Sequence, residues 1–131
     1  MSTLFAQLIG KTLVYVGGLE KGSERVTFTC DDGTEFVMHH AQDCCESVSV
    51  ADVTGDVDDL IGSPILMADE SSSDKEWPAD AARPDYTESF TWTFYKLATV
   101  KGYVDIRWLG ESNGYYGEEV SFAQTKPENA A

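Results

Sequence analysis

The run SFTWTFYKLATVKGYVDIRWLGESNGYYGEEVSFAQ, residues 89–124, decides the fold. Phe90, Trp92 and Phe94 alternate with Thr91, Thr93 and Tyr95, and Val104, Ile106 and Trp108 alternate with Asp105, Arg107 and Leu109. Successive side chains of an extended chain point to opposite faces. This period of two, carried by β-branched and aromatic residues, therefore predicts two half-buried strands. TVKG at 99–102 supplies a connection between them, and Asn113-Gly114 is a strong signal for a further hairpin because both residues tolerate positive φ.

Upstream, Val26, Phe28 and Cys30 alternate with Arg25, Thr27 and Thr29. DDGT at 31–34 offers a tight turn and EFVMHH at 35–40 a returning arm. With KTLVYVGG at 11–18 these predict a three-stranded meander over residues 11–40. SVSVADV at 47–53 reads as a fourth strand with Val48 and Val50 on one face. TGDVDDLIG at 54–62 has an Asp-rich opening, an apolar stripe of Val57, Leu60 and Ile61, and Gly62 as a stop, which predicts one short helix. SPILMADE at 63–70 is extended again, with Pro64 near its start, where a missing N–H matters least.

Residues 70–88 combine serines, prolines and acids with almost no aliphatic side chains, the composition of a long acidic loop or insertion that Trp77 and Tyr86 are placed to pin. Residues 124–131 read as a flexible tail. The sum is a single domain over residues 1–131, mainly β. We expect an antiparallel curved sheet or partly open barrel with one short helix packed on it, an α+β arrangement being the alternative.

Charge bounds the function. The chain has 23 acidic and 9 basic residues and a formal net charge of -14. Nonspecific nucleic-acid affinity depends on Lys and Arg displacing counterions, so this field disfavours direct contact with nucleic acid or with anionic membranes. It attracts basic protein surfaces and speeds encounter with them, although acidity also serves plain solubility. No run approaches the roughly 20 apolar residues that cross a bilayer, and MSTLFAQLIGKTLVYV lacks the basic start and cleavage site of a secretory signal. Three cysteines, Cys30, Cys44 and Cys45, do not suit a disulfide framework, so a cytoplasmic location is expected.

The stretch VMHHAQDCCESVSV at 37–50 concentrates His39, His40, Asp43, Cys44 and Cys45. Zinc sites want four tetrahedral ligands, commonly as two close pairs across a loop. Here the pairs are adjacent residues whose side chains diverge at a strand end, so these five are weak metal candidates. Asp43 and Glu46 should raise a thiol pKa, which opposes nucleophilic or redox use of either cysteine. The reading that remains is structural: one histidine and one cysteine face the core while Gln42 and Asp43 form a turn by bonding backbone N–H groups. No catalytic residue and no cofactor are expected.

Arg107, Asn113, Tyr115 and Tyr116 are a candidate pocket for a small anion or nucleotide base, by charge-assisted hydrogen bonding and ring stacking. Asp105 on the same strand face as Arg107 and the ordinary NG turn argue the other way. Asp56, Asp58, Asp59, Asp69, Glu70, Asp74 and Glu76 form a candidate partner-binding set, and they lack the glycine and distal glutamate of an EF-hand loop.

Across HHAQDCCESVSVADVTGDVDDLIGSPILMADE (39–70) and TWTFYKLATVKGYVDIRWLGESNGYYGEEV (91–120), the chain resembles a group of small proteins encoded by bacteriophages and prophages. They share a DCCE-like turn, a GD-x-x-DLIG-like segment and an RW-x-G-x-SNGYY-like hairpin. The resemblance covers most of residues 10–122. It implies an accessory factor that disarms host defences, by binding an effector protein or by sequestering a nucleotide signal. Joined to the charge, the leading expectation is a non-enzymatic inhibitor in the host cytoplasm. Its acidic face would occupy a basic nucleic-acid-binding surface of a host protein, such as a CRISPR effector channel. A module capturing a nucleotide or other anion, with a homo-oligomer compatible, and a small metal-binding protein are the alternatives.

Overall fold

A computed structural model describes residues 4–83 and 88–126. The protein is mainly β, with two four-stranded antiparallel sheets, neither closed into a barrel. β1 (Leu13–Gly17), β2 (Arg25–Cys30), β3 (Glu35–His39) and β8 (Ser121–Lys126) form the first sheet in that order. β4 (Ser47–Thr54), β7 (Gly102–Ser112), β6 (Ser89–Thr99) and β5 (Met67–Ser73) form the second. The meander is as the alternation predicts, and Gly33 supplies positive φ at its β2–β3 turn.

One core lies between the sheets. Val26, Phe28, Cys30, Phe36, Met38 and Phe122 meet Val48, Val50, Tyr95, Leu97, Val104, Ile106 and Trp108, with Phe5 and Leu8 closing one side. Phe5 lies 4.7 Å from the Tyr95 ring and 5.2 Å from Phe122, and the Trp108 indole N–H donates to the Met38 sulfur at 3.1 Å. Desolvation pushes the Cys30 thiol up, so it is an inert core group.

Four expectations change. The Val57–Leu60 segment is a single 3-10 turn and not a helix, although Leu60 packs in the core: Asp56 caps the Asp58 N–H, and Ile61 is already extended. The strand after Pro64 runs on through Ser73 because Ser71, Ser72 and Ser73 pair with Phe94, Thr93 and Trp92, so the acidic loop starts only at Asp74. Asn113-Gly114 does not close a hairpin. Ser112 and Asn113 side chains accept the N–H groups of Gly114 and Tyr115, and the chain crosses to the first sheet, where β8 pairs with β3. Gln124, Thr125 and Lys126 therefore belong to a strand and not to a tail, whereas Tyr86 lies outside the described residues.

Faces are also assigned against appearance. The Thr91, Thr93 and Tyr95 side of β6 faces the core, while Phe90, Trp92 and Phe94 lie on the outer face beneath residues 74–83. A β-bulge between Val50 and Asp52 re-aims β4: Val50 stays opposite Trp108 in the core, and Asp52 is turned outward opposite Arg107.

Candidate functional site

The chain passes from β3 to β4 through residues 40–46, and the group buried there is a carboxylate. The Glu46 side chain is fully buried and that of His40 is 4% exposed, with His40 Nε2 2.7 Å from Glu46 Oε2. Glu46 also accepts the backbone N–H groups of Asp43 and Cys44, each at 2.8 Å, while Gln42 Nε2 donates to the carbonyls of Cys44 and Glu46. His40 Nδ1 lies 2.6 Å from the Glu119 carbonyl. Both ring nitrogens thus face acceptors, which makes His40 an imidazolium. Burial opposes that charge, but the bonds to Glu46 and to Glu119 outweigh it and the pKa is raised. The bond from His40, against the opposing effect of burial, holds the Glu46 carboxyl down at about 2.

The structural reading of this stretch is corrected in detail. Neither Cys44 nor Cys45 faces the core, both being exposed, and the turn is organised by the Glu46 carboxylate and the Gln42 amide. The sulfurs lie 2.7 Å apart as free thiols. The bond to Cys44 and then burial raise the Cys45 thiol pKa, the Glu46 charge adding a smaller push in the same direction. Among the described residues, no three of His, Cys, Asp and Glu converge on a point that holds a metal ion.

Two motifs far apart in sequence meet here. Cys45, Glu46, Ser47, Glu88, Glu111, Ser112, Asn113 and Tyr116 line a cavity of about 450 Å³. Its ionisable lining is acidic or weakly acidic throughout, so it does not suit an anion. Tyr116 bonds Cys44, which pushes its hydroxyl up to about 12. Tyr115 is 83% exposed and packs edge-on against Tyr116. Arg107, the fourth member of the expected anion pocket, is not in this cavity; it lies on the outer face of the second sheet.

There Arg107 is doubly engaged. Its Nε and NH2 bond Asp52 across the strand pair at 2.5–3.1 Å, and NH1 bonds Asp80 at 2.9 Å. The Asp80 carboxyl pKa is lowered by the bond to Arg107. Asp105 takes Lys96 instead, at 3.9 Å. Residues 74–83 form a strap over this face. Trp77 stands edge-on to Phe90 and Trp92 at 5.0 and 5.1 Å, and Arg83 lies 4.8 Å from the Phe90 centroid and 5.4 Å from that of Trp77.

The seven candidate partner-binding carboxylates lie along the second sheet. Asp56, Asp58 and Asp59 are on the turn that packs against the ends of β6 and β7, with the Asp59 carbonyl accepting the Thr99 hydroxyl. Asp69 and Glu70 are on the edge strand β5, and Asp74 and Glu76 follow it. None of the seven forms an ion pair among the described residues. Glu70 and Asp59 are half-buried; Glu70 lies opposite Tyr95, and desolvation raises its pKa.

Glu46 and Glu118 are structural groups that motif reading misses. Glu118 is buried and accepts the hydroxyls of Thr91 and Ser112. The available signal was the period of two carried back from each strand, since Glu46, Val48 and Val50 share a side, as do Glu118, Val120 and Phe122.

No curated protein and no solved structure matches the chain. Residues 6–122, covering every strand except the last part of β8, match the model of a domain of unknown function, DUF7448, and the chain belongs to that family.

Proposed function

We propose that this protein acts without catalysis, as an accessory factor that occupies a basic nucleic-acid-binding surface of a host protein in the bacterial cytoplasm and so blunts a host defence. One observation carries the reading: four cations are engaged in ion pairs, while a separate set of carboxylates stays exposed and unpaired among the described residues. Lys11, Lys96, Arg107 and Lys126 are engaged by Asp32, Asp105, Asp52 with Asp80, and Glu35. Asp56, Asp58, Asp69, Asp74 and Glu76 are exposed and enter no ion pair among the described residues, so their field reaches solvent.

Their placement supports mimicry of a phosphate backbone. Ser73, next to Asp74, pairs with Trp92, and the Asp59 turn is bonded to Thr99. The intervening length of β6 is about 23 Å at roughly 3.3 Å per residue. A nucleic-acid strand covers that length with about seven phosphates. Asp69 is held on β5, and the Asp56–Asp59 turn and residues 74–83 are tied to the same sheet through Thr99 and Trp77, so little order is lost on docking.

The experiment is capture of basic host proteins at low ionic strength, followed by affinity measurements on the captured protein between about 50 and 300 mM salt. The expected result is a fall in affinity of about tenfold or more across that range. A salt-independent affinity, or capture of no basic protein, contradicts the proposal.

A further inference from the structure

The outer face of the second sheet holds a cavity that shares only Glu76 with the charge reading. Ser73, Glu76, Trp77, Pro78, Ala79, Phe94 and Arg107 enclose about 580 Å³ on one side of the Trp77 indole. The cavity is lined by Phe94, whose ring stacks on that of the buried Trp92 at an inclination of 7° with centroids 6.3 Å apart. Trp77 stands almost perpendicular to this stack, at 88° to Trp92. A floor and an upright wall of aromatic carbon suit a single planar ring, which gains area burial and stacking or edge contacts.

The polar groups of the cavity have opposite signs. Arg107 supplies a guanidinium, fixed by its bonds from Nε and NH2 to Asp52 and stacked 5.5 Å from the Trp92 centroid. Only NH1 is turned to a replaceable partner: Asp80, whose side chain is 72% exposed. Glu76 supplies an exposed carboxylate, on a backbone whose N–H donates to Ser73 Oγ at 3.2 Å. A ligand carrying one carboxylate and one ammonium beside a ring meets both charges. It adds no net charge to a protein already at -14, whereas a purely anionic aromatic would be repelled.

We propose that this cavity binds a free aromatic α-amino acid, with the ring on Phe94 against Trp77, the α-carboxylate on Arg107 NH1 in place of Asp80, and the α-ammonium on Glu76. Asp80 is then an internal competitor. It holds Arg107 NH1 from the neighbouring cavity, which shares Trp77 and Arg107 with this one. Trp77, Arg83 and the Arg107–Asp52 pair do not depend on Asp80, so the strap stays in place when Asp80 yields.

The test uses the full chain, following the Trp77 and Trp92 indole N–H resonances by NMR during titration with L-phenylalanine to about 10 mM. Phenylacetate, which lacks the ammonium, and phenethylamine, which lacks the carboxylate, are the controls. The expected result is saturable shifts with L-phenylalanine and at least tenfold weaker binding of both controls. Glu76→Gln should weaken L-phenylalanine about tenfold and leave phenylacetate unchanged. Asp80→Asn should tighten L-phenylalanine several-fold by removing the competitor, an effect of opposite sign to that of a residue merely holding the strap. Both substitutions are at exposed side chains, so folding is preserved. Absence of saturable shifts, equal affinity for the controls, or weaker binding by Asp80→Asn overturns the proposal.

Discussion

Two carboxylate–cation pairs of this protein carry the same charges and do opposite work. At the β3–β4 crossover, Glu46 and His40 are shut away from water, and every polar atom of the two side chains has a protein partner. On the outer face, Asp80 meets Arg107 with most of its side chain in solvent. Solvent screens an exposed pair until it contributes little, whereas a buried pair cannot lose one member without leaving a charge uncompensated. The difference extends to the whole charge distribution. A few acids, such as Glu46 and Glu118, are built into the fold, whereas Asp56, Asp58, Asp69, Asp74 and Glu76 are exposed and enter no ion pair among the described residues.

The inward set should therefore govern stability. His40→Ala leaves the Glu46 carboxylate buried without its counter-charge and should destabilise the fold by about 2–3 kcal/mol, near the lower end of such losses because the vacated space admits water. Denaturant unfolding measures it, and a change within error would show that the pair is not closed to solvent. Gly110→Ala tests the neighbouring contact. A Cβ there would sit 2.4 Å from the Glu118 backbone oxygen, and the shift needed should lower stability by about 2 kcal/mol.

pH sharpens the same comparison. The raised pKa of His40 means that its contribution is complete below the ordinary histidine value and is lost as pH rises through the folded-state pKa. The depressed carboxyl of Glu46 acts in the other direction, its contribution being present above the ordinary glutamate value and lost as pH falls toward about 2. The pair should thus contribute most between those two ordinary values. Thermal melts from acid to alkaline pH should show a fall on the alkaline side that His40→Ala abolishes. An identical alkaline limb in wild type and variant would mean that the imidazole is neutral.

The strap should respond locally. Trp77→Ala removes the edge contacts to Phe90 and Trp92 and the surface facing Arg83, at a loss of about 1–2 kcal/mol. Hydrogen exchange should accelerate over residues 74–83 while the β2–β3 ladder keeps its protection. Acceleration spread evenly over both sheets would mean that the strap is part of the core.

Much of the fold was legible because period-two alternation is a property of each strand alone. The meander, β4, and the β6–β7 hairpin follow from it directly. What was not legible depended on the partner of a strand. Ser71–Ser73 have no propensity of their own for a strand and acquire one from Trp92–Phe94 across the ladder. Asp52 faces outward only because the bulge at Ala51 inserts an extra residue. Asn113-Gly114 matches a hairpin in isolation, but Ser112 and Asn113 cap the local backbone and the chain leaves for the other sheet. The cavity that joins the DCCE turn to the SNGYY segment is a product of that crossing, and linear spacing holds no trace of it.

The outward acids provide the sharpest contrast with the inward ones. We would neutralise four together, as Asp58→Asn, Asp69→Asn, Asp74→Asn and Glu76→Gln, and measure melting temperature alongside affinity for the basic host protein captured at low salt. The account predicts a melting temperature equal to or above that of wild type, since self-repulsion is relieved, together with at least a tenfold loss of affinity and a shallower salt dependence. A variant that melts lower and binds as tightly as wild type would contradict it.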